Sequence, residues 1–169
     1  MQERGTVPAL TEAGRRRRRY VLVGGIATSV VAVDQLTKWW AADRLARGPI
    51  TIVGPVRLAL AHNTGAAFGL GRGLVPVVVL AALAVVVVVV TVGRSIDRTL
   101  TAVALGLVLG GAVGNLTDRL FRSPGLFRGA VVDFVDLRWW PVFNVADAAI
   151  SIGCVVLVLL SLGRPRSEP

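Results

Sequence analysis

The chain has 169 residues, of which 54% are hydrophobic and 17% charged, and its formal net charge is +9. Soluble domains carry about 25% charged residues, so this composition indicates a single-domain membrane protein. It argues against a nucleic-acid-binding domain, whose basic residues would cover a soluble face, because five arginines here form one run at residues 15–19. A single cysteine, Cys154, and a single histidine, His62, exclude an internal disulfide and a four-ligand structural zinc site.

Four apolar stretches are long enough to cross the membrane as helices, which takes about 20 residues each. They lie at about residues 20–40, 74–92, 99–120 and 142–162. The second is rich in valine and would favour a strand in water, but in lipid an isolated strand leaves its backbone groups unpaired, so a helix is predicted. The first also resembles a cleaved signal peptide, although it is long and no A-x-A-like site follows it. The sequence therefore predicts an all-α membrane protein with four transmembrane helices.

The distribution of basic residues predicts the orientation. Arginines near the membrane ends lie in the N-terminal tail at residues 1–19, in the loop between the second and third spans, and in the C-terminal tail at residues 164–169. By the positive-inside rule these segments are cytoplasmic, and they flank one four-span domain at residues 20–163. Tryptophan pairs at 39–40 and 139–140 would anchor the outer ends of the first and fourth spans at the headgroup level.

A small extracytoplasmic sheet is predicted between the first two spans. Residues 51–53 and 56–62 are strand-like runs separated by Gly54 and Pro55. The second run alternates apolar with other residues, as expected for a strand lying on a surface. Residues 1–14 and 165–169 are predicted to be disordered.

Three acidic residues lie within the predicted spans, close to their outer ends: Asp34, Asp118 and Asp147. An acid inside a membrane span is costly, and its default interpretation is a functional site. The similar depth of all three favours a shared polar layer. Asp133 and Asp136 lie nearby in the predicted outer loop.

Helical spacing adds further residues to this layer. The residues that share a face are Gly111, Asn115 and Asp118 on the third span, and Asn144, Asp147 and Ser151 on the fourth. Gly106, Gly110 and Gly114 form a small-x-x-x-small series that favours close helix packing. Lys38 is expected to pair with Asp34 four residues earlier, and Arg119 to neutralise Asp118.

Two neighbouring carboxylates that share one proton can activate water for attack on a carbonyl group. The residues alone thus support an aspartyl hydrolase at the outer membrane surface, without selecting the two acids from the five. Serine chemistry is disfavoured because the only histidine, His62, precedes the second span in a loop. The alternatives are a small transporter or proton-relay protein using intramembrane aspartates, and a structural anchor.

Five ordered motifs resemble those of signal peptidase II, the bacterial lipoprotein signal peptidase. They are Asp34-Gln35-Leu36-Thr37-Lys38, Asn63-Thr64-Gly65-Ala66-Ala67-Phe68, the segment from Gly111 to Arg119, Val131-Val132-Asp133-Phe134 and Phe143-Asn144-Val145-Ala146-Asp147. The match runs from the first span to the fourth. The segment between Asp133 and Asp147 is shorter than in several relatives, but both flanking motifs are intact.

The resemblance implies a metal-free and cofactor-free aspartic endopeptidase of the bacterial plasma membrane, active near the outer leaflet and sensitive to globomycin. It implies cleavage of prolipoproteins before the diacylglyceryl-modified cysteine, with membrane lipids around the enzyme, no nucleic-acid partner and a monomeric state. The implied catalytic pair is Asp133 and Asp147. Positions that would bind substrate or brace the site are Asp34, Lys38, Asn63, Gly111, Asn115, Asp118, Arg119, Asn144 and Ala146.

Overall fold

The computed structural model describes residues 12–64, 98–123 and 129–162. These described residues form three long helices: α1 (Glu12–Arg44), α2 (Thr99–Phe121) and α3 (Val145–Leu162). Each is long and apolar enough to cross a membrane, α1 together with the 3₁₀ turn Leu45–Arg47 that follows it. They coincide with the first, third and fourth predicted spans. The predicted second span, at 74–92, lies outside the described residues, as do residues 1–11 and 163–169 of the tails.

Helix α1 begins earlier than the sequence predicts. Residues 12–14, expected to be disordered, are helical, and the arginine run forms the first turns. Arginine has a high helix propensity, and residues 15–18 are exposed there. The guanidinium of Arg16 lies 5.7 Å from the ring centroid of Tyr20, one turn further along.

Glycines let α2 pack closely against α1 and α3. A Cβ atom on Gly110 would lie 2.7 Å from Cβ of Val30 on α1. On the other side, a Cβ atom on Gly153 of α3 would lie 2.6 Å from Cγ2 of Val108. The close packing expected from the glycine series is therefore confirmed, and α2 lies in contact with both α1 and α3.

The sheet has three antiparallel strands in the order β1 (Ile50–Val53), β2 (Val56–Asn63) and β3 (Val131–Asp136). The first two were predicted, and Gly54 makes their turn with a φ of 51°, which glycine adopts without strain. The third strand replaces a predicted loop. All but one of its residues are buried, so it lacks the alternation that marks a half-exposed strand. Its pairing places Asp133 opposite Ala61 of β2.

Candidate active site

A buried lysine on α1 joins two carboxylates from different helices. Nζ of Lys38 lies 2.8 Å from Oδ2 of Asp34, 2.9 Å from Oδ2 of Asp118 and 2.9 Å from Oδ1 of Asn115. Lys38 and Asp34 are fully buried and Asp118 is nearly so. An ammonium group has three N–H bonds, and each has an acceptor here. We call Asp34, Lys38 and Asp118 the ammonium cluster; its Asp34–Lys38 pair was predicted, and Asp118 is added by the fold.

Asp118 is neutralised by Lys38 and Arg122, and the predicted pairing with Arg119 is wrong. Nε of Arg122 lies 2.7 Å from Oδ1 of Asp118. Arg119 instead donates from Nη1 to the carbonyl oxygens of Asn63, at 3.0 Å, and Gly129, at 3.1 Å. Adjacent residues on a helix point about 100° apart, whereas residues four apart share a face.

Like Arg122, Gln35 contacts this cluster although the sequence did not single it out for a role of its own. Its Nε2 donates to Oδ1 of Asp118, at 3.2 Å, and to the carbonyl oxygen of Gly114, at 3.1 Å. It also donates to Oδ2 of Asp34. The i,i+4 spacing of Asp118 and Arg122 was available as a signal for Arg122, but nothing in the sequence marked the contacts of Gln35.

Asp34 also fixes the start of α3. Its Oδ1 accepts a hydrogen bond of 3.0 Å from the backbone N–H of Ala146, one of the first-turn N–H groups that lack a partner within the helix. The backbones are close here, because a Cβ atom on Gly111 would collide with the carbonyl oxygen of Ala146. Ala146 is fully buried. Gly111 and Ala146 thus bring α3 against α2 at the level of the polar residues.

Asn144 and Asp147 cap the N-terminus of α3 reciprocally. Oδ1 of Asn144 accepts from the backbone N–H of Asp147 at 3.0 Å, and Oδ2 of Asp147 accepts from the backbone N–H of Asn144 at 3.2 Å. This arrangement is a capping box with asparagine and aspartate in its two positions. The other carboxylate oxygen of Asp147 accepts a hydrogen bond of 2.8 Å from Nδ2 of Asn115. Asp147 therefore lies at the positive end of the helix dipole with donors on both oxygens.

Asn144 also holds Asp133, which comes from β3. Nδ2 of Asn144 lies 2.6 Å from Oδ1 of Asp133, and Nδ2 of Asn63 lies 3.3 Å from its Oδ2. Only 3% of Asp133 is exposed. Burial and the negative charge of Asp147 raise the pKa of Asp133 to about 6, outweighing the hydrogen bonds from Asn144 and Asn63. We call Asp133 and Asp147 the aspartate pair.

Asp136 differs from this pair in its hydrogen-bond partners. It accepts 2.7 Å hydrogen bonds from the backbone N–H of Arg138 and from Nε of Arg57. These two contacts hold the pKa of the Asp136 carboxyl below its usual value. Asp136 thus serves to join β2 and β3 rather than to exchange protons.

The five acids singled out from the sequence therefore divide into two kinds. Asp34, Asp118 and Asp136 each form an ion pair with a lysine or an arginine. Within the described parts of the chain, neither member of the aspartate pair does so, and carboxamide groups are their side-chain partners. An acid held by neutral donors can change protonation state without breaking an ion pair.

An apolar groove of about 410 Å³ opens beside Asp147. Its walls include Trp139, Trp140, Phe143 and Ile152. Both tryptophans are exposed, and their rings meet edge to face with centroids 6.1 Å apart. The groove thus gives an apolar ligand access to one carboxylate of the pair.

Comparison with known proteins identifies the family. The model of signal peptidase (SPase) II matches residues 26–163. The chain is 44% identical over 160 residues to the lipoprotein signal peptidase of Rhodococcus jostii (strain RHA1), covering 94% of this chain and 79% of that protein. It is 46% identical over 150 residues to that of Mycobacterium avium (strain 104), covering 88% and 82%.

Solved structures agree in fold. Two structures described as bacterial membrane enzymes, both determined by the in meso method, superpose with a TM-score of 0.71. One is 24% identical and covers 87% of this chain and 93% of its own; the other is 25% identical and covers 85% and 94%. With its apolar helices, its sheet and its match across residues 26–163, the chain is a bacterial membrane protein that belongs to the signal peptidase II family.

Proposed function

We propose that the protein is an aspartic endopeptidase that removes signal peptides from prolipoproteins, cutting just before the diacylglyceryl-modified cysteine. Membership of the signal peptidase II family and relatives named lipoprotein signal peptidase support this activity. The observation that carries the catalytic assignment is the aspartate pair, which Asn144 links through its side chain and backbone.

Asp147 is the base in this proposal. Its two oxygens accept hydrogen bonds from Asn115 and from the backbone of Asn144, and it lies in the first turn of α3. A carboxylate held by these donors at the start of a helix is placed to accept a proton from a water molecule. Asp147 takes a proton from water as the oxygen attacks the scissile carbonyl carbon.

Asp133 is the acid. Its raised pKa of about 6 makes protonation easier than for an ordinary aspartate, and its Oδ1 accepts the short hydrogen bond from Asn144, so we assign the proton to Oδ2. That hydroxyl donates to the carbonyl oxygen and stabilises the negative charge of the tetrahedral intermediate. When the C–N bond breaks, the proton held by Asp147 passes to the departing cysteine nitrogen, and the pair again shares one proton.

The groove beside Asp147 provides an approach for an apolar substrate. Tryptophans are common at the headgroup level of membranes, and Trp139 and Trp140 line this groove. A site near the outer leaflet would let the diacylglyceryl group stay in the bilayer while the peptide reaches the aspartate pair. We propose that a single chain suffices, because both acids and their carboxamide partners come from this chain.

A transporter or proton relay is not favoured. Family membership supports the peptidase, and two of the three intramembrane acids are fixed in ion pairs with Lys38. A transporting carboxylate must release and rebind its ion, which these pairs oppose.

The test is cleavage by purified protein in detergent or lipid. A diacylglyceryl-modified precursor and the same precursor without lipid are compared, and the cleavage site is read by mass spectrometry. We expect cleavage of the lipidated substrate alone, immediately before the cysteine, and none by Asp147→Asn protein. Equal cleavage of both precursors would contradict the proposed substrate, and wild-type activity of the variant would contradict the proposed base.

A further inference from the structure

The side chain of Asn115 lies between the ammonium cluster and the aspartate pair. Its Oδ1 accepts hydrogen bonds from Nζ of Lys38, at 2.9 Å, and from Nδ2 of Asn144, at 3.2 Å. Its Nδ2 donates a hydrogen bond of 2.8 Å to Oδ1 of Asp147. One carboxamide therefore touches a cation on α1 and the proposed base on α3.

The two ends of an asparagine carboxamide have almost the same shape, so its partners decide which end points where. An ammonium group can only donate, and an ionised carboxylate can only accept. Turning the Asn115 carboxamide over would place its NH₂ against Lys38 and its oxygen against Asp147. Both contacts would then be repulsive, so Lys38 and the carboxylate of Asp147 together select the observed orientation.

Lys38 is itself held in one position. Its other two N–H bonds go to Asp34 and Asp118, and its side chain is fully buried. The ammonium group thus has no spare donor and no solvent with which to exchange acceptors. Its direction towards Asn115 is fixed by two carboxylates from two different helices.

We propose that Lys38 is a positioning residue for peptide hydrolysis, acting through Asn115, whose NH₂ it directs onto the carboxylate of Asp147. The inference rests on the proposed function and adds a link between the ammonium cluster and the reacting groups. Neither Lys38 nor Asn115 is among the residues that line the groove. The link therefore affects the rate of the chemical step and leaves substrate affinity nearly unchanged.

The first experiment is Lys38→Met, with kcat and KM measured on the lipidated precursor and the folded fraction determined separately. Loss of one hydrogen bond to a charged group predicts a kcat lower by about ten- to a hundredfold, with KM within about twofold. The matched control is Gln35→Leu, because Gln35 contacts Asp34 and Asp118 without contacting Asn115. We expect Gln35→Leu to lower stability and to keep kcat within about twofold.

Two more variants separate positioning from charge and from folding. Lys38→Met combined with Asp118→Asn removes one positive and one negative charge, so recovery of wild-type kcat would show that charge balance, not amide orientation, is what matters, and would overturn the proposal. Asn115→Ser removes the donor to Asp147 and leaves the ammonium cluster's ion pairs intact, so it tests the link even where Lys38→Met does not fold. Wild-type kcat in folded Asn115→Ser protein would also overturn it.

The double variant Lys38→Met/Asn115→Ser completes a double-mutant cycle with the two single variants. If Lys38 acts through Asn115, kcat of the double variant equals that of the lower single variant, whereas multiplied losses would refute the link. These outcomes are distinct from failure of the proposed function, in which wild-type protein itself does not cleave the lipidated precursor.

Discussion

The ammonium cluster and the aspartate pair are neighbouring sets of acids that differ in what surrounds them. Asp34 and Asp118 share a lysine, whereas Asp133 and Asp147 are held by carboxamides and backbone N–H groups. An ion pair in a dry site keeps its carboxylate ionised, while neutral donors leave protonation adjustable. Burial of an acid in a span therefore identifies the polar layer, and the partners of each acid identify its task.

The largest effect is expected from removing either acid of the aspartate pair. Asp133→Asn and Asp147→Asn should each lower the cleavage rate by about a thousandfold or more, because general acid–base chemistry is lost. Mobility of the lipidated precursor on a gel measures cleavage, and membrane fractionation checks that each variant is inserted. Asp136→Asn is the control on the same strand and should remain active. Wild-type cleavage by Asp133→Asn protein would show that the pair is wrongly chosen.

Substitution of Asp118, the carboxylate of the ammonium cluster that α2 supplies, should act on stability instead. Asp118→Asn leaves Lys38 and Arg122 without one buried negative partner, so the free energy of unfolding should fall by about 3–5 kcal/mol. Denaturant unfolding in detergent gives this value, and cleavage is then expressed per folded molecule. If fully folded Asp118→Asn protein were inactive while Asp133→Asn protein were active, Asp118 would be the catalytic acid and Asp133 the structural one.

The next effect in size concerns the pH dependence of stability, to which Asp133 of the aspartate pair should contribute. The pKa of Asp133 is raised to about 6, so its stabilising contribution is complete below about pH 4 and is lost as the pH rises through about 6. A pKa of about 6 in place of the ordinary value near 4 corresponds to a stabilisation of the folded protein of about 3 kcal/mol at low pH. The free energy of unfolding measured at about pH 3 and about pH 8 should therefore change by that much more in wild-type protein than in Asp133→Asn protein. Equal changes in both proteins would show that Asp133 titrates normally.

A smaller effect is expected where α2 touches the start of α3. Gly111→Ala would force a Cβ atom into the carbonyl oxygen of Ala146, destabilising the fold by about 1–3 kcal/mol. Because Ala146 precedes Asp147, kcat should fall as well. Gly24→Ala on α1 is the matched control, since its Cβ would meet nothing within 4 Å, and it should be neutral or slightly stabilising. Equal behaviour of the two variants in thermal unfolding would contradict the close packing.

The smallest effect is expected from the ion pair at the sheet. The side chain of Arg57 is 35% exposed, so Arg57→Gln should lower the free energy of unfolding by about 1 kcal/mol or less and leave cleavage unchanged. Chemical denaturation and the cleavage assay measure both quantities. A large loss of activity in Arg57→Gln protein would contradict this expectation, because it would indicate that Asp136 takes part in the reaction.

The sequence predicted much of the site but not its partners. Position near the outer ends of the spans and in the outer loop identified all five acids, and helical spacing identified both bridging asparagines. The Asp34–Lys38 pair followed from the i,i+4 rule. The partner of Arg119 was wrong, because helical geometry separates adjacent side chains and its acceptors are carbonyl groups from two other segments. The third strand was missed because a strand buried on both faces carries no alternation.

Composition and hydropathy by themselves indicated that the chain lies in a membrane, since a chain of 169 residues is too short to bury several apolar stretches of this length in a water-soluble core. The sequence also determined which residues are out of place there and must have polar partners. Only the tertiary structure decided which acids keep a cation and which do not. The physical reason is that Lys38, Asn115 and Asn144 each contact residues that are distant in the chain, and such contacts exist only once α1, α2, α3 and β3 have packed together.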